Sequence, residues 1–171
     1  MENIRSGFHN RRNRAAEKFM LSKAVSVAEQ TAALMKKFPE SQIKLSGGTL
    51  EWIGTLQPSP YSEIYTVKME YRYLNAPKVS IISPPLKRRN EDPVEPIPHM
   101  YDQKYLCLYY PKIEEWRKID WLHKSIVPWA TTWLYYYELW LVTGKWLGGG
   151  VEHGSLRMED MIDSPKRPKH Y

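Results

Sequence analysis

A helical repeat near the N-terminus is the first clear pattern along the chain. Between residues 14 and 38 the side chains of one face recur every third or fourth position, at Met20, Ala24, Val27, Ala28, Thr31, Leu34, Met35 and Phe38. This is the spacing of an amphipathic α-helix. Pro39 ends the pattern, because a residue that precedes proline is disfavoured in the helical region. The sequence therefore predicts a helix over 14–38.

The middle of the chain instead alternates between apolar and polar residues. Extended segments are predicted at 43–45, 50–56, 64–73 and 79–83, with Gly47-Gly48 as a hairpin turn between the first two. The third segment alternates along its whole length and places these residues on one side: Tyr65, Val67, Met69, Tyr71 and Tyr73. Such a strand is buried on one face. The four segments predict an antiparallel meander.

The last third is rich in aromatic residues at helical spacing. A helix is predicted over 121–143, ended by Gly144, and an aromatic stripe runs along it at Trp129, Trp133, Tyr137 and Trp140. The stripe suits either a core-packing face or a stacking platform for bases, and the scarcity of interleaved basic residues favours the core. A helix, a meander, a proline-rich loop and a long helix in this order predict an α+β fold.

Composition excludes several classes of protein. One cysteine among 171 residues rules out an intramolecular disulfide and favours a reducing, cytoplasmic location. The five histidines show no metal-ligand spacing, so neither a metal nor another cofactor is expected. The most apolar stretch, 126–143, contains Pro128 and Glu138, and we expect no membrane span there.

The net charge of +6 is concentrated near the N-terminus. Residues 1–18 hold five basic and two acidic side chains, which is half of the net charge. A short basic arm is either a solvated surface or a contact for nucleic acid, and the mildly basic remainder argues against nucleic acid as a partner. The expected organisation is a basic arm at 1–13, a domain at 14–150 and a polar tail at 151–171.

Cys107 has the most distinctive chemistry in the sequence. It lies between two leucines in a short apolar run that follows a polar, proline-rich stretch, residues 86–99, and ends at Pro111. A cysteine in such a run is commonly a buried, inert thiol. The neighbouring loop also allows a position near an irregular surface, where a thiolate can act as a nucleophile. Both interpretations stay open at this point.

The order of motifs resembles that of ubiquitin-conjugating enzymes, which run from an N-terminal helix through a four-stranded meander and a proline-flanked turn to a histidine and a Leu-Cys-Leu catalytic site. The resemblance covers 14 to about 147, with these parallels: Pro77, Pro84-Pro85, His99, Leu106-Cys107-Leu108, Trp116 and Pro128. The chain is similar in particular to the bacterial ubiquitin-conjugating-like proteins encoded with cGAS-like nucleotidyltransferases in CBASS anti-phage operons.

This resemblance implies an acyl transferase. Cys107 would take up the C-terminal glycine carboxyl of the nucleotidyltransferase as a thioester and help couple it to an amine on an acceptor protein or other molecule. An alternative is a non-catalytic scaffold of the same fold that binds the nucleotidyltransferase. A nucleic-acid-binding module is a further hypothesis, which steep salt dependence of binding would identify. The many aromatics also allow an exposed apolar patch for a homodimer or another partner.

One departure from the family concerns the oxyanion donor. The usual motif is His-Pro-Asn, whose asparagine amide helps stabilise the oxyanion, whereas this chain has His99-Met100-Tyr101. A donor of this kind is typically worth about 3 kcal/mol of barrier. His99, Tyr101, Gln103 or a backbone N–H near Cys107 could replace it. We expect a catalytic site formed by Cys107, His99 and Tyr101.

Two carboxylates are candidates for an acid or a base that deprotonates the acceptor amine. Asp102 and Glu114 lie near Cys107 in sequence. Proximity along the chain is their only support, and the simpler interpretation of each is a solvated surface carboxylate.

Overall fold

The computed structural model of the chain describes residues 24–89, 95–109 and 116–149. Its elements in these ranges are α1 (Val27–Lys37), β1 (Gln42–Ser46), β2 (Thr49–Leu56), β3 (Tyr65–Arg72), β4 (Lys78–Ser83), β5 (Met100–Tyr101), β6 (Tyr105–Leu106) and α2 (Ile126–Thr143). The predicted α+β order is confirmed, with an N-terminal helix, a four-stranded antiparallel sheet and an aromatic-rich C-terminal helix. The predicted arm 1–13, the helical pattern at 14–23, Glu114 and the tail 151–171 lie outside the described residues.

Strands β1 to β4 form one sheet in sequence order, as the meander requires. β2 and β3 pair along their full lengths, from Thr49 opposite Arg72 to Leu56 opposite Tyr65. The apolar positions of β3 are at most 3 % exposed, namely Tyr65, Val67, Met69 and Tyr71. Tyr73 lies beyond the strand and is 41 % exposed, so the alternation ends before the predicted residue. One face of the sheet therefore carries the core.

α1 begins later than the helical spacing predicts. Residues 24–26 are not helical, and Ser26 caps the helix. The Ser26 side chain accepts from the Glu29 N–H, while the Glu29 carboxylate accepts from the Ser26 N–H at 2.8 Å. This reciprocal capping box satisfies backbone donors that a first helical turn leaves unpaired. The prediction of one continuous helix over 14–38 is therefore wrong at residues 24–26.

α2 begins at Ile126 instead of the predicted Trp121. Pro128 explains the difference, because proline is tolerated in the first turn of a helix, whereas in the interior its ring clashes with the preceding turn. The helix ends as predicted at Gly144, whose φ of 74° is left-handed and readily adopted by glycine.

The aromatic face of α2 packs on the sheet. Trp133, Tyr137 and Trp140 are at most 4 % exposed, and the Tyr137 ring meets the Tyr65 ring edge-on with 6.5 Å between centroids. This burial supports a core-packing role for the stripe. No helix within the described ranges has both the length and the apolar character that crossing a membrane would require.

Candidate active site

Cys107 is positioned by a short hairpin formed by β5 and β6. The two strands pair antiparallel, with Tyr101 directly opposite Tyr105, and β6 packs against β4 at the edge of the main sheet. His99 comes immediately before β5 and Cys107 immediately after β6. The hairpin therefore places the histidine and the cysteine of the predicted site side by side.

The turn of this hairpin carries no glycine, which is why the sequence gives little sign of it. Asp102 and Gln103 have positive φ angles of 50° and 51°, and the Lys104 N–H donates to the Tyr101 carbonyl at 2.9 Å. This is the φ pattern of a type I′ turn, which favours Asn, Asp and Gly. The Gln103 carboxamide donates to the Ile97 carbonyl at 2.9 Å and accepts from the Ile97 N–H at 2.8 Å. Gln103 thus braces the segment that leads into His99.

The His99 backbone holds Cys107 in place. Its carbonyl accepts from the Cys107 N–H and from the Trp133 indole N–H, each at 2.9 Å. The His99 φ of 52° is unusual for a residue with a side chain. Its imidazole stacks on the Trp146 indole, with 4.8 Å between ring centroids. The His99 carbonyl therefore links the Cys107 backbone to Trp133 of α2 through two hydrogen bonds.

Tyr101 lies within hydrogen-bond distance of the thiol. Cys107 Sγ is 3.4 Å from the Tyr101 hydroxyl oxygen and 3.8 Å from the Tyr109 carbonyl oxygen. Tyr101 is 2 % exposed, whereas Cys107 is partly accessible. A phenolic hydroxyl can donate as well as accept a hydrogen bond. In this contact the thiol donates to the phenolic oxygen, so the partly open thiol has a buried hydroxyl group beside it.

Tyr109 adds a second phenol near the cysteine. Its ring is 8 % exposed and lies between Trp116 and Trp129, with centroids 6.4 and 5.9 Å away. The hydroxyl has no hydrogen-bond partner in the described parts of the chain. Burial, and next the charge of a Cys107 thiolate, raise the pKa of Tyr109 well above its usual value, so the phenol stays protonated at physiological pH.

The structure brings together the three residues that the sequence predicts for the site, Cys107, His99 and Tyr101. Asp102 is exposed in the hairpin turn, and Glu114 lies outside the described residues. The sequence does not predict the hydrogen bond from the Trp133 indole to the His99 carbonyl, because the spacing of Trp133 within the aromatic stripe indicates only a buried helix face. Among the described residues, no group of three or more His, Cys, Asp or Glu side chains could hold a metal ion.

One family model matches the chain. It is described as a type II CBASS E2 protein, E2-CBASS, and it matches residues 30–154. The matched range includes the whole four-stranded sheet, the β5–β6 hairpin with Cys107, and α2. No curated protein matches the chain.

Proposed function

The chain belongs to the type II CBASS E2 proteins, and on that premise we propose that Cys107 carries an acyl group as a thioester during protein conjugation. Membership of the family gives the chain a role in CBASS anti-phage defence. The proposed acyl donor is the C-terminal glycine of a cGAS-like nucleotidyltransferase. The proposed acceptor is an amine on another protein or molecule.

The observation that carries this proposal is the Tyr101 hydroxyl, 3.4 Å from Cys107 Sγ. In the first step the Cys107 thiolate attacks the carbonyl carbon of an activated carboxyl group, such as an acyl adenylate or another thioester. The carbonyl oxygen becomes an oxyanion, and the Tyr101 O–H donates to it. The leaving group then departs and a thioester remains. Tyr101 thereby takes over the role of the family's asparagine.

The second step transfers the acyl group. A neutral amine attacks the thioester carbonyl, an oxyanion forms again beside Tyr101, and the C–S bond breaks to give an amide and the Cys107 thiolate. The amine nitrogen gives up its proton to a base. Asp102 is the proposed base candidate among the described residues, and solvent can also accept the proton. The His99 carbonyl supports both steps, since it fixes the Cys107 backbone at 2.9 Å.

Co-expression with the nucleotidyltransferase tests the proposal. Wild type, Cys107→Ala and Cys107→Ser are compared on denaturing gels with and without a thiol reductant. We expect a thiol-sensitive adduct in wild type, no adduct in Cys107→Ala, and a thiol-resistant ester in Cys107→Ser, because an ester exchanges with thiols far more slowly than a thioester does.

A scaffold without catalysis is the second candidate, favoured by the His99-Met100-Tyr101 sequence in place of His-Pro-Asn. A scaffold binds the nucleotidyltransferase through its surface and needs no reactive thiol. Co-purification of the partner with all three variants, without an adduct in any of them, would support the scaffold and contradict the thioester.

A further inference from the structure

Two lysines flank the ring of Tyr105, the residue two positions before Cys107. The Lys78 Nζ lies 5.5 Å from the Tyr105 ring centroid, and the Lys104 Nζ lies 5.1 Å from it. Both distances are within the range of cation–π contacts. Lys78 comes from β4 and Lys104 from the hairpin turn, so the β4–β6 contact brings the two ammonium groups to one ring.

Neither ammonium group has a carboxylate partner within the described residues. The ion pairs found there involve Lys68, Arg89 and Arg117. Glu70, which lies directly opposite Lys78 in the sheet, pairs with Lys68 at 3.2 Å. Both ammonium groups lie beside the same ring, so an anion bound at this position would be attracted by two positive charges.

This basic pair lies on the same side of the hairpin as the thiol. Leu106 is 2 % exposed, whereas Tyr105 and Cys107 on either side of it are partly exposed. Alternate residues of an extended chain point to the same face, about 7 Å apart. Tyr101 is opposite Tyr105 in the ladder and contacts Cys107 Sγ, which is consistent with one shared face.

We infer that Lys78, Tyr105 and Lys104 bind an acidic side chain in the C-terminal segment of the acyl donor. An extended peptide attached at Cys107 advances about 3.3 Å per residue. Its second or third residue before the acyl terminus therefore reaches the basic pair, and charge complementarity selects Asp or Glu there. This inference rests on the proposed acyl transfer at Cys107, and it adds that the transferred chain carries an acidic residue close to its C-terminus.

Disulfide exchange tests this binding without requiring thioester chemistry. Peptides that end in a cysteamine amide are offered to the full chain as mixed disulfides, so that Cys107 displaces a small thiol and forms a disulfide with the peptide. One peptide carries Asp at the second and third positions before the terminus, and a matched peptide carries Asn. Intact mass then gives the labelled fraction as a function of added reductant.

We expect the disulfide with the Asp peptide to need about three- to tenfold more reductant for half cleavage than the disulfide with the Asn peptide. This factor corresponds to the free energy of two partly exposed ion pairs. Lys78→Gln with Lys104→Gln should abolish this difference. The double variant Lys36→Gln with Lys44→Gln, which changes two exposed lysines of α1 and β1 and removes the same charge, should keep it.

Equal reductant tolerance of the two peptides on wild type would overturn the inference, as would an Asp advantage that survives in the Lys78 and Lys104 variant. The thioester proposal is judged separately by the gel assay with the nucleotidyltransferase. Preferential capture of the Asp peptide by a chain that forms no thioester would refute the proposed function and leave an acidic peptide site in place.

Discussion

At the scale of single residues, the proposed site consists of one buried phenol beside one partly open thiol. Tyr101 is held by β5 and is 2 % exposed, so its hydroxyl has little freedom to leave Cys107 Sγ. A donor fixed before the reaction stabilises a developing oxyanion without the cost of reorienting it. Removal of the Tyr101 hydroxyl should therefore lower the rate of the proposed reaction more than it lowers the stability of the fold.

Tyr101→Phe should lower the single-turnover rate of acyl transfer from Cys107 to an amine by about a hundredfold, which is the typical loss for one oxyanion donor. The thioester charged on the purified protein and its decay with added amine give this rate. Tyr135→Phe is the matched control, because Tyr135 is 44 % exposed on the outside of α2. An unchanged rate in a folded Tyr101→Phe protein would show that the oxyanion is stabilised elsewhere.

The sequence predicts which residues would form the proposed site but not the contacts that each of them makes. The His99-Met100-Tyr101 motif makes both His99 and Tyr101 candidates, whereas the contact between His99 and Cys107 depends on the His99 carbonyl and its φ of 52°. Every residue has a carbonyl, so no residue type indicates that function. The Trp133 indole that binds this carbonyl lies 34 positions away, and its contact follows from tertiary packing alone.

At the scale of elements, side chains take the place of missing backbone partners. The Gln30 side chain donates to the Asp120 carbonyl and accepts from the Leu122 N–H, each at 2.9 Å. Tyr137 similarly accepts from the Lys87 N–H at 2.6 Å and donates to the Lys87 carbonyl at 3.0 Å. Buried backbone groups require partners. These contacts therefore let irregular segments pack against the helices.

Gln30→Met should destabilise the protein by about 2–4 kcal/mol, because the buried Leu122 N–H and Asp120 carbonyl both lose their partner while the side-chain volume is nearly kept. Denaturant unfolding measures the change. Gln42→Met, at an exposed position in β1, is the matched control and should change the stability little. Equal midpoints for the two variants would contradict the role assigned to Gln30.

The boundaries of the elements show where the sequence pattern is insufficient. The alternation in β3 predicts that strand and its buried face, since burial on one side imposes a period of two. The apolar repeat in the sequence begins well before Val27, the first residue of α1. The capping box formed by Ser26 and Glu29 marks the start of this helix. The Ser-x-x-Glu spacing could have identified this start. The hairpin of β5 and β6 has two-residue strands, too short for any periodic signal.

At the scale of the whole molecule, several tyrosines contribute to the core of the described residues. Tyr65, Tyr71, Tyr109 and Tyr137 are among the buried tyrosines of the described residues, each at most 8 % exposed. Burial is the largest cause that raises the pKa of each phenol, and the Glu138 carboxylate adds to this effect at Tyr65. The folded protein therefore keeps protons that the unfolded chain releases in alkali.

Stability should be independent of these phenols below pH about 10, where tyrosines are protonated in both states. Above that pH the unfolded chain loses protons first, so the free energy of unfolding should fall as pH rises, by up to about 1.4 kcal/mol per pH unit for each tyrosine. Denaturant midpoints between neutral and strongly alkaline pH measure the slope.

Tyr109→Phe is the informative variant for this alkaline transition. It should make the fall of the free energy of unfolding with pH less steep, by up to about 1.4 kcal/mol per pH unit, since one titrating group is removed. The stability at neutral pH should change little, because the Tyr109 hydroxyl has no hydrogen-bond partner in the described parts of the chain. A wild-type midpoint that does not move with pH above the ordinary tyrosine pKa would contradict the assigned role of burial.

The most direct test of the account is the site of covalent attachment. Cys107→Ser is co-expressed with the nucleotidyltransferase, the adduct is purified under denaturing conditions, and peptide mapping by mass spectrometry locates the bond. We predict an ester between the C-terminal carboxyl of the partner and residue 107, with the mass of both chains less one water, and its release by hydroxylamine. Attachment at a lysine in this variant, or an adduct that persists in Cys107→Ala, would contradict acyl transfer through Cys107.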